Sequence, residues 1–350
     1  METLFDLTYE QLEDLMLSIN EKKFKADQIY RWMYQHKINS FDDMTNIKKP
    51  IIEYLKNNYT IDLLKIRETQ IAQDGTIKFL FELKDNNLVE TVLMRFEYGN
   101  SLCVTTQLGC NMGCRFCASG LLKKVRDLTS GEIVSQLLTA LDFINKQEPN
   151  QRIDNVVIMG IGEPFDNYDN VLNFCKIINH PKGIALGARH ITISTCGLVP
   201  QIRRFADELV QFNLAISLHA PNDKLRSELM PINNPYNLDK LIDSLKYYSS
   251  KSNRKITFEY IMIENKNDTK ECALELAKLV KNLNCYINII NYNTVDENIY
   301  KGSSHRAMLE FYDVLMKNKV KATIRNKVGD DIDAACGQLR AKHEGKSKKI

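Results

Sequence analysis

The 350-residue sequence has no run of about 18 apolar residues, so no membrane-spanning helix is expected. Its first residues, "METLFDLTYEQLEDLM", show neither the basic region nor the apolar stretch of a signal peptide, and a cytoplasmic protein is expected. Charge of one sign is scarce. The 47 Lys and Arg nearly balance 44 Asp and Glu, and a net charge of +3 does not by itself announce a nucleic-acid binder. There is no internal repeat and no low-complexity stretch, and tryptophan occurs once, as Trp32. A second CxxC pair is also missing, and with it the usual sequence sign of a four-cysteine zinc site.

Cysteine itself is present nine times, an odd number at uneven spacing, which argues against a disulfide framework and for ligands or catalysts. Basic residues gather locally: Lys22, Lys23 and Lys25 near the start, Lys123, Lys124 and Arg126 in the middle, and Arg340, Lys342, Lys346, Lys348 and Lys349 at the end. Such patches fit a polyanionic partner, although solvated surface is the commoner explanation.

Residues 1 to about 60 read as short helices, with apolar residues at helical spacing in "YEQLEDLMLSIN" and "ADQIYRWMYQHK". The period then shortens. "TIKFLFEL" and "LVETVLMRF" read as strands joined by the turn residues Asp85-Asn86-Asn87. From about residue 100 apolar strands alternate with amphipathic helices: "LCVTTQ", "NVVIMG", "HITIST", "NLAISLH", "ITFEYIMI" and "YINIIN", followed by a last strand, "KATIRN". Six such units predict an α/β fold, a partial (βα)6 barrel with its site at the C-terminal strand ends. The expected divisions are a helical module at 1–60, a hairpin extension at 61–100, the barrel at 101–320 and a C-terminal segment at 321–350.

Directly after the first barrel strand comes "GCNMGCRFCASG", with Cys110, Cys114 and Cys117. Zinc would want a fourth ligand, for which Cys103 is a candidate. A four-iron cluster held by three thiolates instead keeps one iron open. The spacing C-x3-C-x2-C resembles the signature of radical S-adenosylmethionine (SAM) enzymes, and that resemblance implies a [4Fe-4S] cluster whose open iron binds SAM. Glu163 in "IMGIGEP" ends the second strand, where its carboxylate is a candidate acceptor for the SAM ammonium. Gly160 and Gly162 there permit close backbone approach. Ser194 ends the third strand, and Ser217 and His219 end the fourth. One polar strand end is usually a satisfied turn group, whereas three in succession suggest a polar floor.

Longer strings narrow the resemblance. "KFKADQIYRWMYQ", "DGTIKFLFELKD", "VETVLM", "MGIGEP", "LMPIN" and "GDDIDAACGQL" span nearly the whole chain and are similar to the RlmN/Cfr family of radical SAM RNA methyltransferases. The resemblance implies that Cys110, Cys114 and Cys117 ligate the cluster, and that Gly162, Glu163, Ser194, Ser217, Leu218, His219 and Asn293 contact SAM. It further implies that Cys336 carries a methyl group, that Cys103 exchanges a transient disulfide with it, and that Glu90 is the proton acceptor. Two SAM molecules serve each turnover, one to methylate Cys336 and one to make a 5′-deoxyadenosyl radical. The implied targets are carbon 2 of an adenosine at the peptidyl transferase centre of 23S rRNA and of the adenosine beside the anticodon in tRNA. A monomer and a flavodoxin or ferredoxin as electron donor are expected with it. Pro164 favours the RlmN branch over the carbon-8-methylating Cfr branch, which typically has alanine there. Cys196 and Asn291 depart from the family's common serine and proline. A zinc-stapled, non-catalytic RNA-binding protein is the rival from another class.

Overall fold

A computed structural model describes residues 1–118, 123–293, 299–325, 328, 329 and 332. Cys336, the basic tail and most of the expected C-terminal segment lie outside the described residues.

The N-terminal residues form β1 (Glu2–Thr3), α1 (Tyr9–Ser18), α2 (Phe24–Tyr34), α3 (Lys49–Asn58) and β2 (Tyr59–Thr60), with β1 and β2 paired in parallel. Thr8 and Gln11 close a capping box at the start of α1, satisfying backbone N–H groups that the first helical turn leaves open. This unit is packed firmly onto the α/β part of the chain. Asp6 Oδ1 accepts from Gly131 N at 2.6 Å, and Tyr30 and Tyr9 pack against the ring of His180. A Cβ on Gly131 would lie 2.3 Å from Thr3, so only glycine allows this approach.

Four antiparallel strands come next: β3 (Lys65–Ile71), β4 (Ile77–Glu82), β5 (Leu88–Phe96) and β6 (Gly99–Cys103). The β4–β5 turn is the expected one, with Asn86 at φ 64° and Asp85 accepting from the Asn87 backbone. From β6 onward all pairing is parallel, through β7 (Asn155–Ile158), β8 (Ile191–Thr195), β9 (Asn213–Ser217), β10 (Ile256–Met262), β11 (Cys285–Asn291) and β12 (Ala322–Ile324). Helices α4 (Ser130–Gln147), α5 (Tyr168–Asn179), α6 (Val199–Asp207), α7 (Asp223–Leu229), α8 (Leu238–Lys251), α9 (Lys270–Val280) and α10 (His305–Lys317) fill the connections.

One ten-stranded sheet therefore runs in the order β12-β11-β10-β9-β8-β7-β6-β5-β4-β3. It is open, yet its ends approach: Arg325 Nη2, just past β12, lies 3.5 Å from Met94 Sδ on β5, and Gly329 N donates to Asp74 Oδ2 at 2.8 Å. The sheet thus curls into an incomplete barrel. Helices cover its outer face, where Phe79 meets Phe143 and Thr91 donates to Gln136. The alternation of side chains leaves Lys78, Glu90, Val92, Cys103, Ser194, Ser217 and Glu259 on the inner face.

The expected last strand, "KATIRN", is present as β12, so the parallel set has seven strands. The hairpin extension is a continuous part of the barrel sheet, joined through β6, and begins with β3, which its mixed polar sequence hid. The central and N-terminal basic residues are largely committed: Lys124 pairs with Asp127 and Asp166, Arg126 with Asp85 and Glu132, Lys23 with Glu13, and Lys25 is buried beside Gln28. Lys22 and Lys123 are exposed. Among the described residues no helix is long and apolar enough to cross a membrane.

Candidate active site

A cavity of about 280 Å³ opens at the C-terminal ends of the parallel strands. Its wall includes Cys110, Cys114 and Cys117 from the loop after β6, Gly162 and Glu163 after β7, and Ser194, Ser217 and His219 at the ends of β8 and β9. Parallel strands starting from one hydrophobic layer must end together, which is why residues far apart in the sequence share one wall.

The cysteine loop is held by its backbone. Gly109 and Gly113 turn it at φ 84° and 67°, Arg115 N donates to Leu229 O, and Leu108 N donates to Arg126 O. Burial pushes the Cys110 thiol up to about 11 and raises Cys114 further, and the neighbouring thiols add to both effects. Thiols that resist ionisation alone are well suited to a cation that would draw off their protons. No three Cys, His, Asp or Glu side chains among the described residues converge on a single ion. Cys110, Cys114 and Cys117 all line the cavity, close enough for their charges to interact.

Glu163 is buried, and its carboxylate bridges two strand ends: Oε1 accepts from Phe165 N at 3.0 Å and Oε2 from Cys196 N at 2.8 Å. Burial raises its carboxyl and the Cys196 amide opposes that rise. Much of its hydrogen-bonding capacity thus goes to tying the β7 and β8 ends together, and each oxygen has lone pairs left for a ligand. The two glycines line the cavity and also serve the packing around it. A Cβ at Gly160 would lie 2.5 Å from Val104 O, and one at Gly162 (φ 110°) 2.7 Å from Gln107. They admit the loop after β6, and buried Gln107 then accepts from Glu163 N at 2.8 Å while donating to Asp127 and Asp166.

Ser194 and Ser217 sit side by side, Oγ to Oγ 3.5 Å. His219 is buried in a left-handed conformation (φ 57°) and its Nδ1 accepts from Ile261 N at 3.1 Å, which places the ring proton on Nε2. Burial, with Arg226 nearby, pushes its pKa down to about 3, so the ring is a neutral donor. Leu218 is fully buried and contributes no side chain to the cavity wall, and Asn293 is exposed just beyond β11 and outside that wall. Cys196, the departure from the family's serine, does line the cavity.

A second group of residues lies on the antiparallel side. Glu90 is buried on β5 with Lys78 Nζ from β4 at 3.1 Å. Cys103 ends β6, paired with Val92 and Val157, and burial pushes its thiol up to about 11 against the opposing pull of Arg325. Cys103 also accepts a hydrogen bond from the Met159 backbone, and Met159 and Arg325 both line the cavity. The two groups of residues therefore adjoin.

Several residues here escaped the sequence reading. Lys78 in "TIKFLFEL" looks like an ordinary outward strand residue. Glu259, held near 6 by burial, and Arg325 both stand in the cavity wall, and the strand-end polarity that singled out Ser194 would have flagged Arg325 too. Arg226 is the largest fully buried side chain and donates to Cys196 O, Leu218 O and Asn233 Oδ1, tying β8, β9 and α7 together.

Comparison with known proteins agrees with this geometry. The family model described as the ribosomal RNA large subunit methyltransferase N-terminal domain matches residues 3–61, and that of the radical SAM superfamily matches residues 104–299. A probable dual-specificity RNA methyltransferase RlmN of Acholeplasma laidlawii is 54% identical over 97% of this chain and 99% of its own length. The corresponding protein of Enterococcus faecalis is 53% identical over 99% of this chain and 98% of its own. The crystal structure of a radical SAM methyltransferase from Sphaerobacter thermophilus superposes with a TM-score of 0.90 at 38% identity, covering 97% of this chain and 99% of that one. With the cysteine loop, the polar strand ends and this full-length similarity all in agreement, the chain belongs to the RlmN family of radical SAM RNA methyltransferases.

Proposed function

We propose that this chain methylates carbon 2 of adenosine in 23S rRNA and in tRNA, through a methyl group carried on Cys336. The observation that supports this best is the contact between the two groups of residues: Cys103 meets the cavity wall at Met159, and Glu90 lies beside it on the same inner face. The proposed parts are a helical module at 1–60, a strand extension at 61–100, the radical barrel at 101–320 and a methyl-carrying segment at 321–350.

Cys110, Cys114 and Cys117 would hold a [4Fe-4S] cluster, which when bound supplies the electron that splits SAM into methionine and a 5′-deoxyadenosyl radical. The chain's own residues then have distinct tasks. Gly162, Glu163, Ser194, Ser217 and His219 orient SAM in the cavity, with Leu218 and Asn293 contributing from its margin. His219 offers one fixed Nε2–H donor, and the paired serines offer hydroxyls that can donate or accept. Carbon 2 of adenine is electron-poor, so a direct attack on SAM is closed to it, and Cys336 takes the methyl first as thiolate nucleophile. Glu90 accepts the C2 proton, and Cys103 attacks the Cys336 sulfur to free the product as a disulfide forms. Because burial raises the Cys103 thiol, that attack needs a nearby cation, and Arg325 faces it.

Mass spectrometry of nuclease-digested 23S rRNA and tRNA, compared with 2-methyladenosine and 8-methyladenosine standards, tests the proposal. A 2-methyl product that vanishes in Cys336→Ala is the expected result. An 8-methyl product, or full methylation by Cys336→Ala, would overturn it.

A further inference from the structure

The buried ammonium of Lys78 has no task in the methyl transfer as proposed. It lies 3.1 Å from Glu90 Oε2, and both side chains are almost wholly excluded from solvent, at 0% and 3% exposure. Register explains how they meet: Lys78 is opposite Val92 and Leu80 opposite Glu90, so Lys78 and Glu90 are diagonal neighbours on the inner face of β4 and β5. Val92 is in turn opposite Cys103 on β6, which puts Lys78, Val92 and Cys103 in one row across three strands. A buried ion pair gives little net stability over apolar residues of the same size, so packing alone does not account for a lysine here. Both side chains make further contacts besides this one.

We propose that Lys78 is a positioning residue of the methyl transfer: it fixes the Glu90 carboxylate on the inner face, beside Cys103 and the cavity wall. This rests on the reading of Glu90 as proton acceptor. In the transfer the C2 proton moves to Glu90, the C–H electron pair stays with the adenine adduct, and Glu90 becomes a carboxylic acid beside Lys78. The ammonium keeps all its protons, and Glu90 returns the acquired one to solvent when the product leaves. Lys78 from β4 and Cys103 from β6 are among the charged and titratable groups near Glu90, and Arg325 beyond β12 acts on Cys103 and Glu259.

The test uses cluster-loaded full-length protein with transcribed 23S rRNA fragment and SAM, comparing wild type, Lys78→Met, Lys78→Arg and Glu90→Gln. Iron content reports that the barrel has folded. Methylated product and covalent protein–RNA adduct, seen as a slow band on a denaturing gel, are followed over time at neutral pH. Lys78→Met is expected to lose about 100-fold in product at neutral pH and to accumulate adduct as Glu90→Gln does. Lys78→Arg should restore the wild-type yield and remove the adduct band. A Lys78→Met enzyme with wild-type yield and no adduct, beside an inactive Glu90→Gln, would overturn the role of Lys78 and leave that of Glu90 standing. Full activity in Glu90→Gln would overturn both. Should Lys78→Met fail to hold iron, Lys78→Gln takes its place under the same criteria.

Discussion

On the parallel limb of the sheet, β6 to β12, the site residues stand at strand ends, where Ser194, Ser217, His219 and the loop cysteines surround an open cavity. On the antiparallel limb, β3 to β6, they stand within strands, where Lys78 and Glu90 face each other out of solvent. Parallel strands with helical returns bring their C-terminal ends together whatever their side chains, so that limb collects ligand-binding groups through topology. Antiparallel neighbours instead meet through register, and a one-residue slip would turn Lys78 and Glu90 to the helix-covered face. Under the proposed mechanism the limbs would divide the labour: the parallel one would hold the radical-forming site, and the antiparallel one would direct where the methyl group goes.

The largest expected effect separates the limbs. Cys114→Ala should lose both bound iron and all formation of 5′-deoxyadenosine, measured by iron assay and chromatography. Glu90→Gln should keep its iron and lower RNA methylation by about 10²- to 10⁴-fold. Iron loss in Glu90→Gln would break the comparison.

Stability distinguishes them next. Lys78→Met strands a buried carboxylate and should cost about 3–5 kcal/mol in denaturant unfolding of the apo protein, whereas Lys78→Met with Glu90→Leu should recover most of it. On the parallel limb Gly162→Ala meets Gln107 at 2.7 Å in a left-handed conformation. A loss of about 2–3 kcal/mol in the same measurement is expected, with weaker SAM binding by calorimetry.

The smallest effect is on pH dependence. Burial holds the folded Glu259 carboxyl at about 6 against an ordinary 4.5, so the folded state binds this proton more tightly than the unfolded one. That contribution is complete below 4.5 and is lost as pH rises through about 6. Glu259→Gln should therefore gain about 2 kcal/mol at pH 8 relative to pH 4, read from thermal unfolding of the apo protein. A flat difference would place Glu259 in a wetter setting than the fold indicates.

Much of the parallel limb was legible because its signals are local. Strand-like apolar runs ending in Ser194 or Ser217, and three cysteines in "GCNMGCRFCASG", can be recognised within a dozen residues. The reason for Gly160 and Gly162 was not legible, since the atoms they make room for, Val104 O and Gln107, are more than 50 positions away. Arg226 was missed for the same reason: its acceptors Cys196 O and Leu218 O come from two other strand ends. The ion pairs of the basic residues were not legible either, because a lysine's sequence neighbours do not reveal its partners, as Lys124 with Asp166 illustrates.

By itself the sequence determined the alternation of strands and helices, the N-terminal helical unit and the three-cysteine loop after the first barrel strand, because periodicity and motif spacing are short-range properties. The meeting of Lys78 with Glu90, the contact of Cys103 with the cavity wall and the bridging role of Glu163 were decided only by the tertiary structure. Each depends on strand register and sheet curvature, which arise from the packing of the whole barrel and from no single stretch of chain.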